Sequence, residues 1–201
     1  FITEMGERPW CLHLSFIKPH WPYIAPEPYA SMYGPEQVKP ALRDPCEETY
    51  PHPVYAAFME NRDSRLFRRP EARETIVPAY MGLIKQIDDQ FGRLMAELER
   101  QGRMDDTMIV FTSDHGDYLG DHWLGEKDLF HEASVRIPMI VYDPRAAADP
   151  TRGTVSTELV EAIDLVPTFI EAAGGTPPAH RLEGRSLRPL LEGQERAVDW
   201  R

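Results

Sequence analysis

Four strand-forming residues, Ile109 to Thr112 (IVFT), stop abruptly in the run SDHGDYLGDHWLGEK. A short buried strand that empties into a loop of glycine, carboxylate and imidazole is where α/β proteins place their chemistry. Asp114 and His115 fall at the strand's carboxyl end, and Gly116 lets the backbone turn close to a ligand. Upstream, Tyr80, Ile84, Ile87, Phe91, Leu94, Met95 and Leu98 keep the three-four spacing of one buried helical face, with charged residues opposite. The spacing predicts a helix over residues 74–100, ended by Gly102. Asp88 and Asp89 are successive on that helix, do not face one point, and read as surface charge. Helix followed by strand is the grammar of a parallel α/β sheet.

The flanks add further elements. Residues 10–17 (WCLHLSFI) are rich in strand formers and predict a strand near the centre of a sheet. His20 follows between Pro19 and Pro22, which restrict the backbone and fix where the imidazole points; Lys18 reads as a solvated neighbour. Residues 25–53 form a long irregular excursion, whose Tyr29, Tyr33 and Tyr50, with Tyr23 before it, either wall a site or anchor the loop. The arginines from Arg62 to Arg73 alternate with acids and read as a solvated helix face or subunit contact. Residues 136–142 predict a strand beginning near Pro138, Val155 another short one, and residues 159–173 an amphipathic helix.

Composition excludes some functions. With 201 residues, 42% of them hydrophobic, the chain can bury one sizeable core. Its formal charge of −11 argues against nucleic acid or an anionic membrane as partner, so an anionic ligand must be held by local charge. No run approaches the roughly 20 apolar residues of a membrane span. Cys11 and Cys46 make no disulfide framework, read as buried or incidental free thiols, and fit a cytoplasmic setting. The chain opens at Phe1 without an initiator Met, and both ends read as cut, so a periplasmic or secreted protein stays open.

An adjacent carboxylate and imidazole, Asp114 and His115, suit a divalent cation, with Lys127 as a fixed positive charge nearby in sequence. On residue type alone the pair reads equally as a strand-end cap and a satisfied histidine. Lys127 has an exposed surface charge as its plain alternative, and His20 a loop-packing role. Asp117 and Asp121 read first as turn or cap residues. His122 and His131 border the loop without an assigned role.

Residues 112–145 (TSDHGDYLGDHWLGEKDLFHEASVRIPMIVYDPR) resemble the carboxyl-terminal motif of the sulfatase branch of the alkaline phosphatase superfamily. Within it, the motif is most similar to phosphonate monoester hydrolases, which also cleave phosphodiesters. SFIKPHWPYIAP, IDDQFGRLMAEL, DLVPTFIEAAG and LEGRSLRPLLEG also fit. The resemblance implies an alkaline-phosphatase-like, sulfatase-type α/β sandwich of a mostly parallel sheet with flanking helices. It further implies that residues 1–201 are the carboxyl-terminal portion of one catalytic domain, with the amino-terminal part missing. By the same resemblance Asp114 and His115 are metal ligands for one divalent ion, manganese or calcium, and Lys127 and His20 bind the substrate and act in catalysis. His20 protonates the leaving oxygen. The family's nucleophile is a formylglycine made from cysteine in C-x-[PSA]-x-R; neither Cys11 (CLHLS) nor Cys46 (CEETY) fits, so it is expected from outside this chain, which alone is expected to be inactive. The implied substrate is a small anionic ester and the implied assembly a homo-oligomer. A sulfuric ester hydrolase, such as an arylsulfatase or choline-sulfatase-like enzyme, and a noncatalytic binding protein of the same fold are the alternatives.

Overall fold

The computed structural model describes residues 1–194. They fall into two compact units, one of Phe1–Gln101 with His115–Ile137, the other of Gly102–Asp114 with the chain from Pro138 onward.

The first unit is helical and loop-rich. Its helices are α1 (Ile2–Met5), α2 (Pro45–Thr49), α3 (Pro53–Met59), α4 (Arg62–Leu66), α5 (Pro70–Arg100) and α6 (Glu132–Val135). Proline opens α2, α3 and α5, where its fixed φ suits the first turn and its missing N–H would have gone unused. Asp44 and Asn61 cap α2 and α4 by accepting from the backbone N–H of Cys46 and Ser64, at 2.8 and 2.7 Å.

Helix α5 starts earlier than its apolar spacing predicts, and although Leu98 is buried as that spacing requires, the inner line departs from it at Ile84. Leu83 is fully buried while Ile84 is 47% exposed. The reason is Gly82: a Cβ there would collide with the Tyr29 carbonyl, so the turn Tyr29–Ser31 approaches the helix at that point and sets the buried line. Asp88 and Asp89 are surface charges, both paired with Lys85, and Asp89 also accepts from the Tyr29 hydroxyl at 2.9 Å.

Residues 10–17 do not form a strand, contrary to their composition, and Cys11 onward they are exposed. Strand structure is a pairing state. Among the described residues no ladder partner is offered to this run, and β propensity without a partner fixes nothing. Cys11 is accordingly exposed, as is Cys46.

The second unit carries the two strands, β1 (Ile109–Thr112) and β2 (Met139–Tyr142), and helices α7 (Leu165–Ala172) and α8 (Arg188–Leu191). The strands pair antiparallel, Ile109 opposite Tyr142 and Thr112 opposite Met139, so this pair differs from the parallel neighbour that helix-then-strand order suggests. The intervening chain leaves and re-enters at one end of the sheet, which reverses direction. Strand β2 starts only after Pro138, which has no N–H to donate; its carbonyl accepts from Thr112 Oγ1 at 2.8 Å.

Val155 belongs to no strand and is 92% exposed. The expected helix over residues 159–173 divides into a 3-10 turn, Ala162–Asp164, and α7. Asp164, fully buried, causes the break: its carboxylate accepts from the N–H of Glu161 at 2.9 Å and of Arg185 at 2.8 Å. Thr168 extends the link, donating to the Asp164 carbonyl at 2.6 Å and accepting from Leu187 N–H at 2.8 Å. No helix among the described residues is long and apolar enough to cross a membrane.

Candidate active site

The loop that follows β1 is irregular but held at nearly every step. Leu119, His122, Trp123, Glu126 and Asp128 all have left-handed φ, a density that no sequence period announces. The Gly116 N–H donates to the Ser134 carbonyl at 2.7 Å, and a Cβ at Gly116 would collide with the Ala133 carbonyl, so glycine is required there. Tyr118 N–H donates to the Glu126 carbonyl at 2.7 Å and Gly120 N–H to the Leu124 carbonyl at 2.8 Å. Tyr118 and Leu124 are buried with Met59 in a small core.

Two arginines clamp the outer side of this loop. Arg43 donates to the carbonyls of Gly120, at 2.7 Å, and Phe67, at 2.8 Å, and its guanidinium lies 4.3 Å from the Trp123 ring centre. Arg73 donates to the carbonyls of Leu119 and Lys39 and pairs with Asp121 at 3.3 Å. Its side chain is 15% exposed, so Arg73 departs from the solvated-face expectation: it ties the part-buried Leu119 carbonyl of the loop to the Lys39 carbonyl. Asp121, which also accepts from Leu42 N–H at 3.0 Å, is structural as expected.

The histidines without an assigned role are structural too. His122 and His131 stack with ring centres 4.1 Å apart. His122 Nδ1 meets Glu47 Oε1 at 2.7 Å, and its carbonyl accepts from the Tyr55 hydroxyl. The Tyr118 hydroxyl accepts from His131 N–H at 3.4 Å and lies 2.9 Å from His131 Nδ1. Burial first, then the neighbouring His122, holds His131 below the usual imidazole range.

Within this unit two of the sequence-predicted site residues meet. Lys127 Nζ lies 3.3 Å from His20 Nε2, across 107 residues of chain. His20 Nδ1 lies 2.9 Å from the Trp21 carbonyl, which can only accept, so Nδ1 carries the proton and Nε2 receives the lysine's. Lys18 is the residue that residue-type reasoning undervalued: its ammonium donates to the carbonyls of His20, at 3.2 Å, and Pro22, at 2.5 Å, tying the imidazole's loop.

Asp117 is the second undervalued residue. Its Oδ1 accepts from Leu119 N–H at 3.0 Å, the expected turn role, and its Oδ2 accepts from the Tyr23 hydroxyl at 2.7 Å. Burial raises its pKa above the usual carboxylate range, against the pull of Tyr23, Leu119 N–H, His115 and His20. The same desolvation, followed by Asp117 itself, raises the Tyr23 phenol, and pushes Tyr80, whose ring stands edge-on to Tyr23, up to about 12. Tyr23 and Tyr29 are thus loop anchors, while Tyr50 is 88% exposed. The only sequence signal for the Tyr23–Asp117 pair was the tyrosine's place beside the proline-bounded histidine.

Asp114 and His115 are consecutive residues, and the boundary between the two units falls between them. Ser113 Oγ lies 3.3 Å from Asp114 Oδ1. His115 Nδ1 lies 2.8 Å from the Gly116 carbonyl, which makes Nε2 the lone-pair nitrogen, the form in which histidine serves a metal. The donor types therefore fit a divalent cation. Among the described residues no three His, Cys, Asp or Glu side chains form a metal cluster.

A loop of glycine, carboxylate and imidazole, with Lys127 set against His20, marks a candidate enzyme site, and comparison with known proteins gives the family. The sulfatase family model matches residues 1–175, so the chain belongs to the sulfatase family. A multifunctional alkaline phosphatase superfamily protein, PehA of Trinickia caryophylli, is 36% identical over 100% of this chain and 41% of its own length. An arylsulfatase of Clostridium perfringens is 33% identical over 96% of this chain and 39% of its own. The solved phosphonate monoester hydrolase of Silicibacter pomeroyi superposes with a TM-score of 0.89 at 34% identity, over 98% of this chain and 40% of that one. The fold is therefore the α/β fold of the alkaline phosphatase superfamily, sulfatase type. The chain spans about two fifths of the length of these relatives.

Proposed function

We propose that the protein to which this chain belongs hydrolyses phosphonate monoesters or phosphodiesters, and that residues 1–201 are the carboxyl-terminal portion of its catalytic domain. The observation that carries the reading is the His20–Lys127 hydrogen bond, an imidazole and an ammonium joined at 3.3 Å. An ammonium has three donors and His20 engages one. Lys127 therefore binds an anionic oxygen while remaining bonded to the imidazole. As the bond to the leaving oxygen breaks, that oxygen takes a proton from Nε2, which takes one from Lys127 in turn and leaves it a neutral amine. Lys18 and the Trp21 carbonyl keep the ring oriented throughout.

Asp114 and His115 would hold one divalent ion, manganese or calcium, since a nitrogen ligand leans away from magnesium. Such an ion supplies Lewis acidity and charge neutralisation. The nucleophile in this reading is a formylglycine, which neither Cys11 nor Cys46 provides. The substrate is a small anionic ester, the setting the cytoplasm and the assembly a homo-oligomer. A sulfuric ester hydrolase is the second reading, supported by the arylsulfatase relative.

The experiment is a leaving-group series of phosphonate, phosphodiester and sulfate esters with the protein in its full encoded length. His20→Ala is expected to slow esters of poor leaving groups more than those of good ones, because only the former need a proton in the transition state. Equal losses across the series would remove the acid role. Faster turnover of sulfates than of phosphorus esters would favour the second reading. Elemental analysis and anomalous scattering check the metal, and a fully active metal-free protein would defeat that assignment.

A further inference from the structure

Glu126 stands next to Lys127 in the chain and has no part in the reaction proposed above. Its backbone is fixed on both sides. Its carbonyl accepts from Tyr118 N–H at 2.7 Å, and Gly125 N–H donates to the buried Ser64 hydroxyl at 3.1 Å. A Cβ at Gly125 would come within 2.8 Å of the Asp63 backbone, so this segment lies flat on α4. Glu126 itself has φ +57, a conformation natural to glycine, yet a long acidic side chain occupies it.

That side chain ends in an unmet need. Glu126 Oε1 is buried and has no hydrogen-bond partner among the described residues. A buried acceptor left without a donor is costly, and such an atom in a folded protein calls for a partner. Its charged neighbours do not supply one: Asp63 and Asp117 are carboxylates, and Lys127, bonded to His20, makes no hydrogen bond to this oxygen. Burial, then Asp63, raises Glu126 above the usual carboxylate range, while Lys127 and His20 pull the other way, which places it in the field of both. The donor comes from outside the described residues, and a bound ester can bring it. The anionic head of an ester carries only acceptor oxygens, which a carboxylate repels. The donor must lie on the organic part.

We propose that Glu126 is a specificity-determining residue whose buried oxygen accepts from a hydroxyl or ammonium on the organic group of the anionic ester held at His20 and Lys127. The inference rests on the reading that this pair binds the ester. Isosteric substrates test it. Turnover of the 4-nitrophenyl monoesters of 2-hydroxyethyl-, 2-aminoethyl- and propylphosphonate, by the protein in its full encoded length, compares a hydroxyl, an ammonium and a methyl in one place.

The kcat/KM ratios of the hydroxyethyl and aminoethyl esters to the propyl ester are expected to be about tenfold or more, since a site built around a polar partner rejects the analogue lacking it. Glu126→Gln should cut the aminoethyl ratio by about tenfold and Glu126→Gly should bring both ratios to near one. Glycine suits the left-handed backbone, so its thermal midpoint should not fall and a folding defect is separable. Ratios near one in the unaltered protein, or ratios unchanged in both variants, would overturn the proposal. Calorimetric binding of 2-aminoethylphosphonate against propylphosphonate gives a readout independent of turnover. Donor-dependent binding without hydrolysis would sustain Glu126 and overturn the reaction, and equal binding of the two would overturn Glu126.

Discussion

The loop of residues 115–131 and the segment of residues 10–17 belong to the same compact unit and are ordered in opposite ways. The loop has only a 3-10 turn, Asp121–Trp123, yet its carbonyls and amides are taken up by Arg43, Arg73, Ser64, Leu42 and Ser134. The segment has the residues of a strand and joins no ladder among the described residues. Backbone groups fixed by side chains do not require a periodic neighbour; backbone groups meant for a ladder do. Local rigidity here comes from arginine and serine reaching into the chain, and regular secondary structure is not its measure.

The contrast predicts where substitutions matter. The largest effect should follow Lys127→Ala, because an ammonium about 4 Å from an anionic oxygen is worth about 1 kcal/mol in water and about 4 at an effective dielectric of ~20. Turnover in the full-length protein should fall on the order of ten- to several-hundredfold. A loss below twofold would place the lysine outside the reaction.

Next comes Arg73→Ala, which strips donors from the Leu119 and Lys39 carbonyls and leaves Asp121 without its ion pair. Hydrogen bonds to charged groups contribute about 1.5–3 kcal/mol each, so urea unfolding should report a destabilisation of about 2–3 kcal/mol. A change under about 0.5 kcal/mol would mean that the loop is held by something other than its side-chain clamps.

A pH effect should be smaller. His131 has its folded pKa lowered, by burial and by His122, so the unfolded chain binds its proton more readily. Stability is then lost as pH falls from the ordinary imidazole range of about 6.5 toward the lower folded value. The thermal midpoint should drop across that window, and His131→Asn should flatten the drop. A slope identical in both proteins would assign it to other groups.

The smallest effect belongs to the exposed segment. Ile17 is 82% exposed, so Ile17→Ser should leave the chain's own stability within about 0.5 kcal/mol. A larger loss would show that residues 10–17 are held after all, and would erase the contrast with the loop.

What could be read from the sequence follows the same division. Strand β1 and helix α5 were legible because apolar periods encode them, and His20 and Lys127 were each singled out through family resemblance, though not their contact. The burial of Leu83 in place of Ile84 on α5 was not legible, because Gly82 decides it by contact with Tyr29, a residue far away in the chain. The clamp by Arg73 was hidden because an arginine among acids reads as solvated until its carbonyl partners are known. Five left-handed non-glycine residues between Leu119 and Asp128 leave no mark in composition at all. Lys18 was undervalued for the same reason: its partners, the carbonyls of His20 and Pro22, carry no residue-type signal.

Asp164 in the second unit has a kinetic consequence. Its carboxylate and Thr168 bind the amides of Glu161, Arg185 and Leu187, which lie outside the strands and the helix interiors. In hydrogen exchange such amides would ordinarily trade with solvent quickly. Here each can open only when the buried carboxylate and hydroxyl release it. The three should exchange slowly and at a shared rate, making residues 161–187 one cooperative opening unit whose clock is a single aspartate.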